Sequence, residues 1–234
     1  MKTIGLIGGM SWESTRSYYE NINRLVNQKL GGFHSAKIVM VSVDFAEIEA
    51  LQQSGDWQTA GQLLANCAKQ LEAAGAEVFL ICTNTMHLVA EQVEAAVSIP
   101  MLHIADVTGE YLQQLSHKKS GLLGTRFTME QDFYKQRIQD KFSIAMLIPD
   151  NEDRQSVHDI IYQELVQGEI NSDSREVYLA IIDKLAAQGA QSVVLGCTEI
   201  GLLVKQTDTE LPLLDTAALH CQAAVDYALS SKSK

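Results

Sequence analysis

The chain has 234 residues, 46% of them hydrophobic and 20% charged, with a formal net charge of −11. This length and balance fit an ordinary soluble globular protein of one large or two small domains. The acidity removes the electrostatic basis for nucleic-acid binding, since the longest basic cluster is His117-Lys118-Lys119.

Apolar runs in chain order predict strands near 3–7, 36–43, 78–82, 101–104, 120–123, 143–147, 192–196 and 212–214. Helical periodicity predicts helices near 13–28, 58–74, 88–96, 107–116, 130–139, 153–166, 174–188 and 217–230, with a polar tail at Ser230–Lys234. Strands alternating with helices argue an α/β fold whose parallel sheets are covered by helices on both faces. No apolar window is long enough to span a bilayer. The first strand has no charged leader before it, so a cytoplasmic location is expected. Cys67, Cys82, Cys197 and Cys221 show no CxxC spacing, which argues against a disulfide framework. Cys67 and Cys221 fall in helical patterns and read as small buried hydrophobes.

The two halves of the chain repeat each other. LEAAGAEVFLICTNT at 71–85 returns as LAAQGAQSVVLGCTE at 185–199. GLIGG at Gly5–Gly9 returns as GLLGT at Gly121–Thr125, and IPMLHIA at 99–105 returns as LPLLDTA at 211–217. Each landmark is displaced by about 114 residues, and the order is kept. Two homologous lobes of about 115 residues each follow.

Polar chemistry gathers where buried strands end, the place where open α/β sheets bind ligands. Gly8-Gly9-Met10-Ser11 offers backbone amides to a carboxylate and, compatibly with that, a helix cap at Ser11 or Ser14. It lacks the spacing of a nucleotide loop. Thr83-Asn84-Thr85-Met86-His87 and Cys197-Thr198-Glu199 are the repeated corners. A helix N-terminus behind Cys197 would lower its thiol pKa. In Gly124-Thr125-Arg126, Thr125 is a donor or cap, and Arg126 is an anion partner or a solvated charge. His87, His103 and His220 lie in separate segments without metal-ligand spacing, so no metal site is expected.

GLIGGMSWEST, TNTMH, LLGTRFTMEQDFY and GCTEIGLL together resemble the aspartate/glutamate racemase superfamily, on its aspartate-racemase branch. The resemblance runs from Ile4 to about Ala217. It implies two pseudo-symmetric lobes with the active site between them, no cofactor, an amino-acid substrate and commonly a homodimer. It further implies that the last strand and helix pack back on the first lobe, which gives residues 1–100 with 212–234 as one lobe and 101–211 as the other. Its mechanism sets one cysteine on each face of the substrate α-carbon. The candidate substrate-binding residues at these strand ends and on the side-chain side are Met10, Ser11, Gln52, Asn84, Thr85, Thr125, Thr198 and Glu199, with Asn84, Thr85, Thr125 and Thr198 as the ring around the substrate carboxylate.

Two departures matter. The first cysteine of the family pattern falls at Thr83, one residue beyond Cys82. Neighbouring residues of an extended strand point to opposite sides, so Cys82 is expected to pack in the sheet. Cys197 is then the working base and Thr83 stands on the opposite face as proton donor or relay; the resemblance assigns the second-half cysteine to the L-enantiomer, so it implies that L-substrates are favoured. The basic residues expected to hold a distal carboxylate fall near 51–53 and 165–167, where there are none. The substrate is therefore open between aspartate or glutamate and a neutral amino acid such as homoserine. A lyase or other isomerase of the superfamily working with one cysteine, and a non-catalytic amino-acid-binding protein, are the competing readings.

Overall fold

The computed structural model describes residues 1–230; the rest of the expected polar tail lies outside the described residues. The chain divides into two compact units, Met1–Ile104 with His220 onward, and Ala105–Leu219.

In the first unit, β1 (Ile4–Gly8) is the centre of a parallel sheet, with β2 (Ile38–Ser42) on one side and β3 (Val78–Ile81) on the other. β1 and β3 are buried along their whole length, so they read as continuous apolar runs, whereas the edge strand β2 is partly exposed. Three helices flank these strands: α1 (Trp12–Leu30), α2 (Phe45–Ser54) and α3 (Trp57–Ala73). Ser11, Asp44 and Asp56 cap their N-termini by accepting the amides of Ser14, Ala46 and Thr59. Leu64 and Leu71 of α3 pack with Ile7, Phe79 and Ile81 in the core. α4 (Ala90–Glu94) follows a 3-10 turn at Thr85–Val89.

The second unit repeats the plan. β4 (Lys119–Leu123) lies between β5 (Ala145–Leu147) and β6 (Val193–Leu195), and β7 (Leu213–Asp215) pairs with β6, all parallel. The helices are α5 (Ile104–Gln114), α6 (Arg126–Glu130), α7 (Asp132–Phe142), α8 (Asn151–Gln163), α9 (Ser172–Ala187) and the one-turn α10 (Ile200–Leu203). α11 (Thr216–Leu229) starts in this unit and enters the first at His220.

The repeat holds at the level of packing. A Cβ on Gly5 would lie 3.0 Å from Leu71 and 3.1 Å from Phe79; one on Gly121 would lie 2.9 Å from Leu185 and 3.1 Å from Val193. These are matching residues of the two halves, and each glycine lets a helix approach its central strand. Buried Tyr18 shares a 2.9 Å hydrogen bond with His220 Nδ1, and buried Tyr134 donates to Thr108 Oγ1 at 3.0 Å. Each tyrosine thus meets the helix that follows the last strand position of the other half.

Those two helices correct the expected lobe boundaries. The division falls at Ile104/Ala105 and Leu219/His220, not near residues 100 and 212. β7 stays in the second sheet through its ladder to β6, and only α11 from His220 onward joins the first unit. The strand expected at 101–104 is a single parallel bridge from Met101 to Phe79, because the chain turns into α5 at Ile104. The helix expected at 130–139 is divided between α6 and α7 by extended Gln131. Among the described residues no helix is long and apolar enough to cross a membrane.

Burial holds the His220 imidazole down to about 3. His220 is therefore neutral in the fold and takes up a proton on unfolding below its ordinary value of about 6.5. Its share of the stability is complete above that pH and is lost as the pH falls toward 3. We expect urea midpoints to drop between pH 6.5 and 4, and the slope to be shallower in His220→Asn. The difference should approach about 1.4 kcal/mol per pH unit; parallel slopes would assign the acid sensitivity to carboxylates.

Candidate active site

The first unit gathers three segments around the end of β3. Gly9 has φ +95° and sits so close to Val43 that a Cβ would lie 2.2 Å from its carbonyl oxygen, so the turn out of β1 demands glycine. The Gly9 amide donates to Thr15 Oγ1 at 2.8 Å. Ser11 caps α1, and Met10 is buried in the core. The capping reading of this loop is thus realised at Ser11. Ser14 Oγ donates to the Cys82 carbonyl at 3.1 Å, which ties the glycine loop to the β3 corner. Gln52 of α2 is 6% exposed and directs its amide to the Met86 sulfur at 3.1 Å.

Cys82 continues the sheet, its amide donating to the Ile7 carbonyl at 2.9 Å, and it is fully buried. Burial alone drives its thiol far above the ordinary range. Thr83 is partly accessible, and Asn84 and Thr85 are buried beside it. Asn84 makes no capping hydrogen bond to the 3-10 turn, so its role is not that of a helix cap.

The second unit builds the matching corner. The Gly196 amide donates to the Leu123 carbonyl at 2.6 Å, the counterpart of the Cys82 to Ile7 bond. A Cβ on Gly124 would lie 3.2 Å from both Gly196 O and Thr128 Cβ, so the turns after β4 and β6 lie against each other. Thr125 caps α6 and accepts the Thr128 amide at 3.4 Å. Cys197 donates to Glu199 Oε2 at 3.0 Å, and Thr198 Oγ1 donates to the same oxygen at 2.7 Å.

This geometry overturns the expected activation of Cys197. Its thiol is raised well above the ordinary value, by burial first and by the Glu199 carboxylate next. The following helix is one turn, too short to oppose an adjacent negative charge. Glu199, expected to bind substrate, is turned onto Cys197 and Thr198. Arg126 is spent on Glu130 (3.5 Å) and Gln155 (3.4 Å).

Separation in sequence hid one cluster. His87 lies 4.6 Å from His103 and 5.9 Å from His220 between ring centroids, all in the first unit. Among the described residues no group of three or more His, Cys, Asp or Glu could hold a metal ion. A surface cavity of about 550 Å³ beside α9, lined by Asp183, Thr207 and Glu210 among others, contains none of the corner residues.

Residues 7–224 match the Asp/Glu/Hydantoin racemase family. The chain belongs to that family. It is an isomerase by membership, and named amino-acid racemases are among its relatives. A protein of Yersinia pestis proposed as an Asp/Glu racemase is 56% identical with TM-score 0.94, over 98% of this chain and 100% of that one. An aspartate racemase homologue from Pyrococcus horikoshii OT3 is 32% identical with TM-score 0.87, over 98% and 100%. The broad specificity amino-acid racemase RacX of Bacillus subtilis is 24% identical over 168 residues, 71% of each chain.

Proposed function

We propose that this racemase inverts the α-carbon of an amino acid without a cofactor, Cys197 serving one face and Thr83 the other. One observation carries the reading: the two matching strand ends hold unlike groups, a thiol bound to a carboxylate after β6 and a threonine after β3. Racemisation needs an acid and a base on opposite faces of one carbon.

In the resting enzyme Cys197 is a thiol. To act as base it must first pass its proton to Glu199, which already accepts that bond. The substrate ammonium favours this step by stabilising the thiolate. The thiolate then takes the α-proton of the L-form, and the Thr83 hydroxyl returns one on the other face. The threonine alkoxide is reprotonated through a relay, for which Asn84, the ammonium group or a trapped water are suited, and Glu199 releases the proton it took from Cys197, so the cycle closes with both residues in their resting states. Donors around the substrate carboxylate, Asn84, Thr85 and Thr125 with the amides of Met10 and Ser11, stabilise the carbanion, while Thr198, whose one hydroxyl proton goes to Glu199, steadies the Glu199 carboxylate. Gln52 serves the distal end of the side chain in this reading. The family and the relatives support aspartate or glutamate, and the missing cations at 51–53 and 165–167 support a neutral amino acid.

The homodimer belongs to the same proposal, supported by the exposed Trp12 and Tyr19, two turns apart on α1. A cytoplasmic location is supported by the four free cysteines.

The test is solvent-deuterium exchange at the α-carbon for both enantiomers of an amino-acid panel. Exchange should survive chelators and carbonyl reagents and stop on thiol alkylation. Activity lost on dialysis and restored by a metal or pyridoxal phosphate would refute the mechanism. Glu199→Gln separates the two duties of Glu199. Without the carboxylate the Cys197 pKa should fall, so iodoacetamide should react several-fold faster, about as expected for a larger thiolate fraction. Racemisation should slow at least about tenfold, because the thiol proton has lost its acceptor. If alkylation and turnover move together, Glu199 does not govern Cys197.

A further inference from the structure

Thr83 is fixed from behind. In the 3-10 turn that follows it, the His87 amide donates to the Asn84 carbonyl, three residues back, at 3.0 Å. The Thr83 carbonyl, four residues back, is met instead by the His87 ring, whose Nδ1 lies 2.8 Å away. The other ring nitrogen, Nε2, accepts the Ile104 amide at 3.3 Å. A carbonyl only accepts and an amide only donates, so the imidazole is the neutral Nδ1–H tautomer, engaged at both ends. The ring is 2% exposed. His220 stands near it, itself held between Tyr18 at 2.9 Å and the Leu102 carbonyl at 2.7 Å. The ring cannot turn without giving up a buried hydrogen bond. The matching position of the second half is Gly201, so only the threonine corner has this support.

Resting on the two-corner mechanism above, we propose that His87 is a positioning residue for Thr83. Its ring sets the peptide plane that carries Thr83 and so the direction of the Thr83 hydroxyl. A hydroxyl is a poor acid and base, and its transfer step tolerates little misplacement.

The test uses His87→Leu and His87→Asn, each alone and with Thr83→Ala. An asparagine amide nitrogen falls near the place of Nδ1 and keeps the donor. His87→Leu should lower the racemisation kcat by about 10–100-fold while KM changes less than about threefold. His87→Asn should recover most of that loss. With Thr83 already removed, His87→Leu should not slow the residual exchange of the L-form further, because the two residues act as one unit. An equal loss in both backgrounds, or no recovery by asparagine, would overturn the assignment. Long-range ¹⁵N NMR of the wild-type histidine rings reads the contact without catalysis. A neutral Nδ1–H ring is expected for His87; an Nε2–H or doubly protonated ring at neutral pH would overturn the contact even in an active racemase. A wild-type protein with the expected tautomer but no α-proton exchange would instead remove the racemase reading, and the role with it.

Discussion

Cys197→Ala is expected to abolish exchange of the α-proton for both enantiomers while leaving the fold intact. The loss should be at least about 10³-fold, within the range that a positioned acid–base group contributes. Cys197 is the corner thiol with a proton acceptor in contact, Glu199 at 3.0 Å. Cys82→Ala is the control. It removes a fully buried thiol whose ionisation is suppressed by burial, so it should cost about 1 kcal/mol of stability and little catalysis. Urea denaturation and deuterium exchange on the same preparations check both. An inactive Cys82→Ala beside an active Cys197→Ala would reverse the assignment.

The second large effect concerns Thr83, where the two halves differ most in chemistry. As a base it starts neutral at pH 7, which should cost several kcal/mol relative to a thiol, each 1.36 kcal/mol being about tenfold in rate. The equilibrium constant between enantiomers is near unity, so the penalty must be divided between rate and binding. Tighter or faster use of the L-form is the expected outcome. Thr83→Cys should raise turnover of the D-form by about tenfold or more, by restoring a thiol on each face. Thr83→Ala should slow racemisation while part of the Cys197-driven exchange of the L-form survives. Equal kcat and KM for both wild-type enantiomers, with Thr83→Ala matching wild type, would make Thr83 a bystander.

Much of the scaffold was legible because buried parallel strands write themselves as continuous apolar runs. Val78–Ile81 and its partner before Gly196 could hardly be anything else. Their repetition located the two corners as well. Linear pattern does not say which unit a helix packs on, and so the boundaries at Ile104 and Leu219 were missed. α2 was missed too: ten residues are short for a periodicity signal, though Asp44 and Gly55 mark its ends. The Cys197 environment failed for a different reason. Glu199 was visible two residues away, but the direction of its side chain was not, and that direction decides whether the thiol pKa rises or falls. Likewise His87, His103 and His220 become neighbours only through the fold.

The discontinuity of the first unit has a consequence for synthesis. Tyr18 waits for His220, a partner 202 residues later, whereas Ala105–Leu219 is one uninterrupted stretch. Domains usually mature in the order in which they leave the ribosome. Here the order must invert: the unit begun second has its full complement of chain while the unit begun first still lacks its closing helix. Nascent chains arrested before His220 should therefore resist brief proteolysis within 105–219 and be cut within 1–104. The buried tyrosine of α1 meets His220 only after the last helix has left the ribosome.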